Sequence, residues 1–241
     1  MEKKQLNIHT PIHHYFPEMG NSVAIQKKDI TLFHLLTMTS GLKVVNFQAS
    51  KNWVTSILNQ PVINEPGSTF EYNSGNSHLL SAIIQKVSGE TTASFAVENL
   101  FKPLGIHKYI WVADPQGIHG GGFSLSIHIE DMMKIGKVLL DEGVYMGKRV
   151  ISPNWISESQ TLYKQVSESE YGTYGYGYQF WIAKSSNHPN YFYANGIYGQ
   201  NIFIVPKLNL VAAVKGQLDS KNQSLPNSYF EAFLREYVTK N

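Results

Sequence analysis

The apolar residues change period once along these 241 residues, and that change constrains the fold more than any other feature. Up to about residue 170 the spacing is helical. From Asn76 to Ser88, Leu79, Leu80, Ile83, Ile84 and Val87 fall on one face, and Gly89 closes the segment. After Tyr171 the spacing becomes that of a strand. Tyr174-Gly175-Tyr176-Gly177-Tyr178-Gln179-Phe180-Trp181 alternates large residues with small or polar ones. Tyr191 to Ala194, Asn201 to Val205 and Leu210 to Lys215 read as three more strands, the last two joined by a turn at Pro206-Lys207-Leu208-Asn209. Phe230, Phe233, Leu234, Tyr237 and Val238 then make one stripe of a terminal helix. Helices first, then antiparallel sheet and helix, describe an α+β fold. The spacing places a mainly helical part over residues 1–170 and a sheet with a packed helix over 171–241 of the same domain.

Further helices are expected over Asp29–Thr39, ended by Ser40-Gly41, over Trp53–Leu58, over Thr92–Phe101 stopped before Pro103, over Ile129–Asp141, and after Pro153. Residues 1–29 read as irregular, broken by Pro11, Pro17 and Gly20.

Composition removes several function classes. A net charge of +2 is too small to make nucleic acid or an anionic membrane a main partner. The absence of cysteine excludes disulfides, thiolate metal sites and a cysteine nucleophile. No apolar run approaches a membrane span, and Met1-Glu2-Lys3-Lys4-Gln5-Leu6-Asn7 has a basic start without the apolar stretch of a signal peptide. Localisation is therefore left unspecified.

Among nine histidines, His13 and His14 are adjacent and cannot share a face, and no H-x-x-x-H pair lies on one helix. No metal site and no cofactor are expected. Gly120-Gly121-Gly122 marks a loop, and no G-K-[ST] follows it as a phosphate loop would require.

Four blocks in order resemble one family. They are Ile30-Thr31-Leu32-Phe33-His34-Leu35-Leu36-Thr37-Met38-Thr39-Ser40-Gly41-Leu42; Glu65-Pro66-Gly67-Ser68-Thr69-Phe70-Glu71-Tyr72-Asn73-Ser74-Gly75 with the helix to Gly89; Gly121 to Ser126 through Gly143 to Pro153; and Ala194-Asn195-Gly196-Ile197-Tyr198-Gly199-Gln200. Together they are similar to the class C β-lactamase, penicillin-binding-protein and esterase group of serine hydrolases. The resemblance implies a β-lactamase/transpeptidase-like fold: a helical subdomain, a C-terminal antiparallel sheet and a packed terminal helix. It also implies acyl-enzyme chemistry on an amide or ester bond. A serine hydroxyl is a weak nucleophile until a base removes its proton, and a tyrosine of ordinary pKa serves as base only where cations favour its phenolate.

By this resemblance Tyr72 matches the tyrosine of the Y-x-N motif, as proton acceptor and donor. Asn73 holds the variable place, and Ser74 stands where the motif asparagine would be, a hydroxyl of shorter reach. Asn195 and Gly196 line the third motif, with the N–H of Ile197 as oxyanion-hole donor and Gly196 letting substrate approach the strand. Ala194 replaces the Lys or His of relatives and removes a cation that would bind a β-lactam carboxylate. Gln200 reads as structural. The S-x-x-K motif that carries the nucleophile in relatives precedes the first block, and its place here holds only irregular sequence. The one S-x-x-K string, Ser40-Gly41-Leu42-Lys43, overlaps a helix end, where the dipole opposes a developing anion and Gly41 breaks the turn that would bring Lys43 back. The expectation is a chain that begins downstream of the catalytic helix, lacks the N-terminal strands and is inactive alone. A non-catalytic ligand- or peptidoglycan-binding relative is the alternative. The expected partners are a small-molecule or peptide-like acyl substrate and a second copy of the chain at the uncovered sheet edge.

Overall fold

The computed structural model describes residues 6–169 and 172–238, so Met1 to Gln5, Glu170, Tyr171 and Thr239 to Asn241 lie outside it. The chain divides into two compact units, residues 1–126 and 127–241. The division falls earlier than the change of apolar period near 170. The reason is that a helix and several short strands after residue 126 belong with the sheet rather than with the helices before it.

The first unit contains short 3-10 turns at Ile12–Tyr15 and Pro17–Met19, then α1 (Asn21–Gln26), α2 (Leu32–Leu36), α3 (Trp53–Leu58) and α4 (Ser74–Ser88). After these come α5 (Thr92–Ala96), a π turn at Val97–Phe101, α6 (Lys102–Leu104) and β1 (Tyr109–Trp111). β2 (Leu125–Ile127) straddles the boundary. The core gathers Ile30, Leu32 and Leu35 with Val54, Ile57, Leu79, Ala82 and Ile83, so α4 presents its expected apolar stripe inward. Full burial of each such side chain stabilises by about 1.5–3 kcal/mol. Gly89, at φ 74, ends α4 in the left-handed conformation.

The second unit runs α7 (Ile129–Leu140), β3 (Val144–Tyr145), β4 (Lys148–Arg149), α8 (Pro153–Ser159), β5 (Lys164–Ser169), β6 (Gly172–Tyr176), β7 (Trp181–Lys184), β8 (Tyr191–Gly196), β9 (Gln200–Val205), β10 (Leu210–Lys215) and α9 (Leu225–Phe233), with a π turn at Leu234–Val238. Strands β5 to β10 form one antiparallel sheet in sequence order. Alternation gives that sheet two apolar faces. Tyr191, Tyr193, Phe203 and Val205 meet Phe230 and Leu234 on one side, where Phe203 and Phe230 stack with centroids 4.1 Å apart. On the other side Gly136 of α7 fits so closely over Val211 and Ile202 that a Cβ there would stand 2.4 Å from Val211 Cγ1.

Several elements differ from the expectations, each for a visible reason. The helix expected over Asp29–Thr39 is confined to α2, because Met38 takes φ 57 and the Met38 and Thr39 carbonyls accept from Glu71 and Gly67. The strand expected from Tyr174 to Trp181 is a hairpin, β6 and β7, turning where Gly177 N–H bonds Phe180 O at 2.8 Å. Helix continues past Phe101 through Pro103, which sits in the first turn of α6 and owes no N–H bond there. Helix α1 and strand β5 arise in segments that carried no clear period. Phe230 and Leu234 are buried as the terminal stripe requires, and Phe233 is half exposed.

Candidate active site

In the first unit, the segment leading to Tyr72 is strapped to the chain that leaves α2. Gly67 N–H bonds Thr39 O at 2.8 Å, and Glu71 N–H bonds Met38 O at 2.9 Å. Asn73 caps α4, accepting from Gly75 N–H at 2.9 Å, while its amide donates to Leu42 O at 3.1 Å. Both ends of that buried side chain are therefore spent on backbone, and Asn73 offers nothing outward. Ser74 opens α4 and is partly exposed, beside the Gly120–Gly122 loop. A Cβ on Gly121 would stand 1.9 Å from Ser77 O, so the triple glycine serves close approach to α4.

Tyr72 is 44% exposed. Its partial burial raises the phenol above the ordinary tyrosine value. Ser40, by contrast, is 2% exposed. Its hydroxyl donates to Asn76 Oδ1 at 2.8 Å and accepts from Leu42 N–H at 3.3 Å. Lys43 is exposed.

Two histidines of this unit are also occupied. His34 Nδ1 accepts from Thr31 N–H at 3.2 Å in a capping box, and fully buried His78 lies 3.1 Å from Asp114 through Nε2. Burial lowers the His78 pKa, with Asp114 opposing the shift.

In the second unit, β8 pairs with β7 at Trp181↔Tyr193, Ile182↔Phe192 and Ala183↔Tyr191, and no further. On its other side β8 continues against β9 through Ala194↔Ile202, Asn195↔Asn201 and Gly196↔Gln200. The edge of Ala194 to Gly196 that faces away from β9 is therefore paired by no strand among the described residues. Such an edge can accept an extended ligand backbone. Asn195 is held from across the ladder: Asn201 Nδ2 donates to Asn195 Oδ1 and to Asn227 Oδ1 on α9, each at 2.8 Å. Asn201 is 1% exposed and its own Oδ1 has no hydrogen-bond partner among the described residues. Ile197 is 64% exposed just beyond Gly196, and a Cβ on Gly196 would meet Gln200 Cβ at 3.3 Å.

Sequence reasoning did not single out Asn76, Asn201 or Asn227. The available signal was Asn201, a polar residue on the face that β9 otherwise fills with Phe203 and Val205. Tyr193-Ala194-Asn195 also spells Y-x-N, but Tyr193 is packed in the core.

The β-lactamase family profile matches residues 1–231. The 6-aminohexanoate-dimer hydrolase of Paenarthrobacter ureafaciens is 23% identical over 228 residues, 83% of this chain and 57% of that protein. The chain thus spans little more than half of that relative. The octameric penicillin-binding protein homologue from Pyrococcus abyssi superposes with TM-score 0.75 at 20% identity, over 97% of this chain and 61% of that one. Simvastatin synthase from Aspergillus terreus superposes with TM-score 0.73 at 16% identity, over 100% and 80%. The α+β architecture is β-lactamase/transpeptidase-like. With four motif blocks in order and the profile covering nearly all residues, the chain belongs to the β-lactamase family of serine hydrolases.

Proposed function

We propose that this chain serves acyl-transfer chemistry on an amide or ester bond, with Tyr72 of the first unit as its proton-exchange residue, the Ala194–Ile197 edge of the second unit as its substrate-binding edge, and the serine nucleophile coming from outside residues 1–241. The observation that carries this is Ser40. The one serine in an S-x-x-K string is buried with its hydroxyl committed to Asn76, and Lys43 points its charge to solvent rather than into a buried site. A hydroxyl so engaged has no open approach to a carbonyl carbon, which nucleophilic attack requires.

In this reading Tyr72 exchanges the proton of the absent nucleophile. Its raised phenol stays protonated near neutral pH on these residues alone, so the phenolate would need a cation brought in with that nucleophile. In the second unit Ile197 N–H is the oxyanion donor, Gly196 lets the acyl group lie against β8, and Asn195 orients it, while Ser74 is the polar group beside Tyr72 in the first unit. Asn73 supports the site through its cap and touches no substrate. Ala194 favours a neutral ester or amide over a β-lactam carboxylate, and the similarity to a 6-aminohexanoate-dimer hydrolase leans toward a linear amide.

A fluorophosphonate probe tests this. Residues 1–241 alone are expected to show no stable labelling, and the product of the gene read upstream to an in-frame S-x-x-K is expected to label at that serine. Labelling at Ser40 would overturn the placement of the nucleophile. Without such an upstream motif, binding of an acyl compound with no labelling would favour the non-catalytic relative, a reading that the raised Tyr72 phenol also suits.

A further inference from the structure

The hairpin between β8 and β9 turns through Ile197, Tyr198 and Gly199, and both Tyr198 (φ 65) and Gly199 (φ 79) occupy the left-handed region. Glycine adopts that region freely and asparagine tolerates it, but a bulky aromatic is an outlier there. The surrounding backbone fixes this conformation whatever the side chain. Tyr198 O accepts from Leu218 N–H at 3.0 Å, and Gly199 is closed in by Leu218 and Pro226. The ring itself contributes little to that arrangement. It is 48% exposed, and no ring contact or hydrogen bond engages it among the described residues. A strained position therefore holds a costly residue whose side chain the fold does not use, an outlier of the kind that collects at binding sites.

Its place suggests the use. Tyr198 follows Gly196 by two residues and stands beside exposed Ile197, at the end of the β8 edge that β7 leaves unpaired. We propose that Ile197 and Tyr198 form an apolar lip that receives the aryl or branched-alkyl part of the substrate, making Tyr198 a specificity-determining residue. The proposal rests on the acyl-transfer reading of β8. A tyrosine ring suits the task because it offers a large apolar face, few rotamers to freeze and a phenol that stays in water.

The test follows binding of phenylacetamide and acetamide to residues 1–241 by NMR, together with melting temperature. Tyr198→Asn is expected to raise the melting temperature by roughly 2–4 °C through relief of backbone strain. The same variant is expected to weaken phenylacetamide by roughly three- to tenfold and to leave acetamide unchanged. Tyr198→Phe keeps the affinity. Met146→Asn is the control: Met146 (φ 47) and Gly147 (φ 76) make a similarly strained hairpin between β3 and β4, so melting should rise with both affinities unchanged. Unchanged phenylacetamide binding in Tyr198→Asn overturns the lip and leaves the acyl-site reading standing. A lower melting temperature also overturns it, because the ring would then be fold support. Wild type binding neither compound overturns the lip and the acyl-site reading of β8 together.

Discussion

Around Tyr72 most of the neighbouring polar groups are engaged within the fold, and the group presented at the surface is a side chain, that of the 44% exposed tyrosine. Asn73 is spent on Leu42 and Gly75, Ser40 on Asn76, and the Met38 and Thr39 carbonyls on the segment before Tyr72. At Ala194 to Gly196 the allocation is reversed. There Asn195 Oδ1 is tied to Asn201, and beside that side chain's amide what is presented is backbone, the edge of β8 beyond its last pairing with β7. The Tyr72 region thus depends on a residue's identity, and the β8 edge on the absence of a side chain and of a neighbouring strand. Substitutions that add a single methyl group separate these two designs.

The largest effect is expected at Gly121. The loop it belongs to closes over the start of α4, the helix that Asn73 caps, and an added Cβ would lie 1.9 Å from Ser77 O and 2.9 Å from His78 Cα. Those are backbone atoms of a helix and cannot move aside cheaply. Gly121→Ala should cost more than about 3 kcal/mol in chemical denaturation, beyond ordinary overpacking. A loss below about 1 kcal/mol would show that the loop is soft and that the Tyr72 region is less firmly framed than the hydrogen bonds imply.

Much of this framework was legible in the sequence where local period and tertiary packing agree. α4 is readable because Leu79 and Ile83 are apolar for the same reason that they are buried, and β10 because Leu210 to Val214 is an unbroken apolar run that starts just after a turn. The β6–β7 turn was not readable, since the alternation of tyrosine with small or polar residues runs on through Gly177 to Phe180 without a break. Asn73 stood inside a motif with the expected polarity, but its amide is captured by Leu42, distant in sequence, and that capture decides its role. Asn201 was hidden in an apolar run, its partners lying one across the ladder and one on α9. The family blocks marked where chemistry could sit, while long-range hydrogen bonds determined which side chains remained available for it.

Proton uptake sharpens the comparison at the next level. The shifted groups of the first unit include His34, His78 and His119, all lowered chiefly by burial. A histidine lowered on folding contributes stability that is present above its unfolded value of about 6.5 and is lost as pH falls below it. Tyr174, Tyr191 and Tyr193 of the second unit are raised, first by burial and then by Glu231, which accepts from the Tyr174 and Tyr191 phenols at 2.6 and 2.9 Å. Their contribution is present below the unfolded tyrosine value of about 10 and is lost as pH rises above it. Amide hydrogen exchange should therefore show α4 loosening first in acid and the β8–β9 ladder loosening first in alkali. His78→Gln should flatten the acid limb alone. Both units loosening at the same end would mean that these buried groups do not govern their pH response.

The smallest change in stability is expected at Gly196, and there the contrast between the two regions is most exposed. Its added Cβ would stand 3.3 Å from Gln200 Cβ and 3.5 Å from Gln200 O, a tight contact in which the exposed Gln200 side chain can give. Alanine also costs less conformational entropy than glycine in a strand, by roughly 0.5–1 kcal/mol, which offsets the crowding. Gly196→Ala should therefore shift denaturation by less than about 1 kcal/mol. The same methyl group projects from a strand edge that a ligand backbone must approach closely, so binding of phenylacetamide and acetamide should both fall, unlike the selective loss expected from Tyr198→Asn. Intact stability with both affinities lost would mark Gly196 as kept for the ligand. Intact stability with both affinities retained would mean that ligands do not lie against this edge, and the substrate-binding edge would have to be sought elsewhere in the sheet.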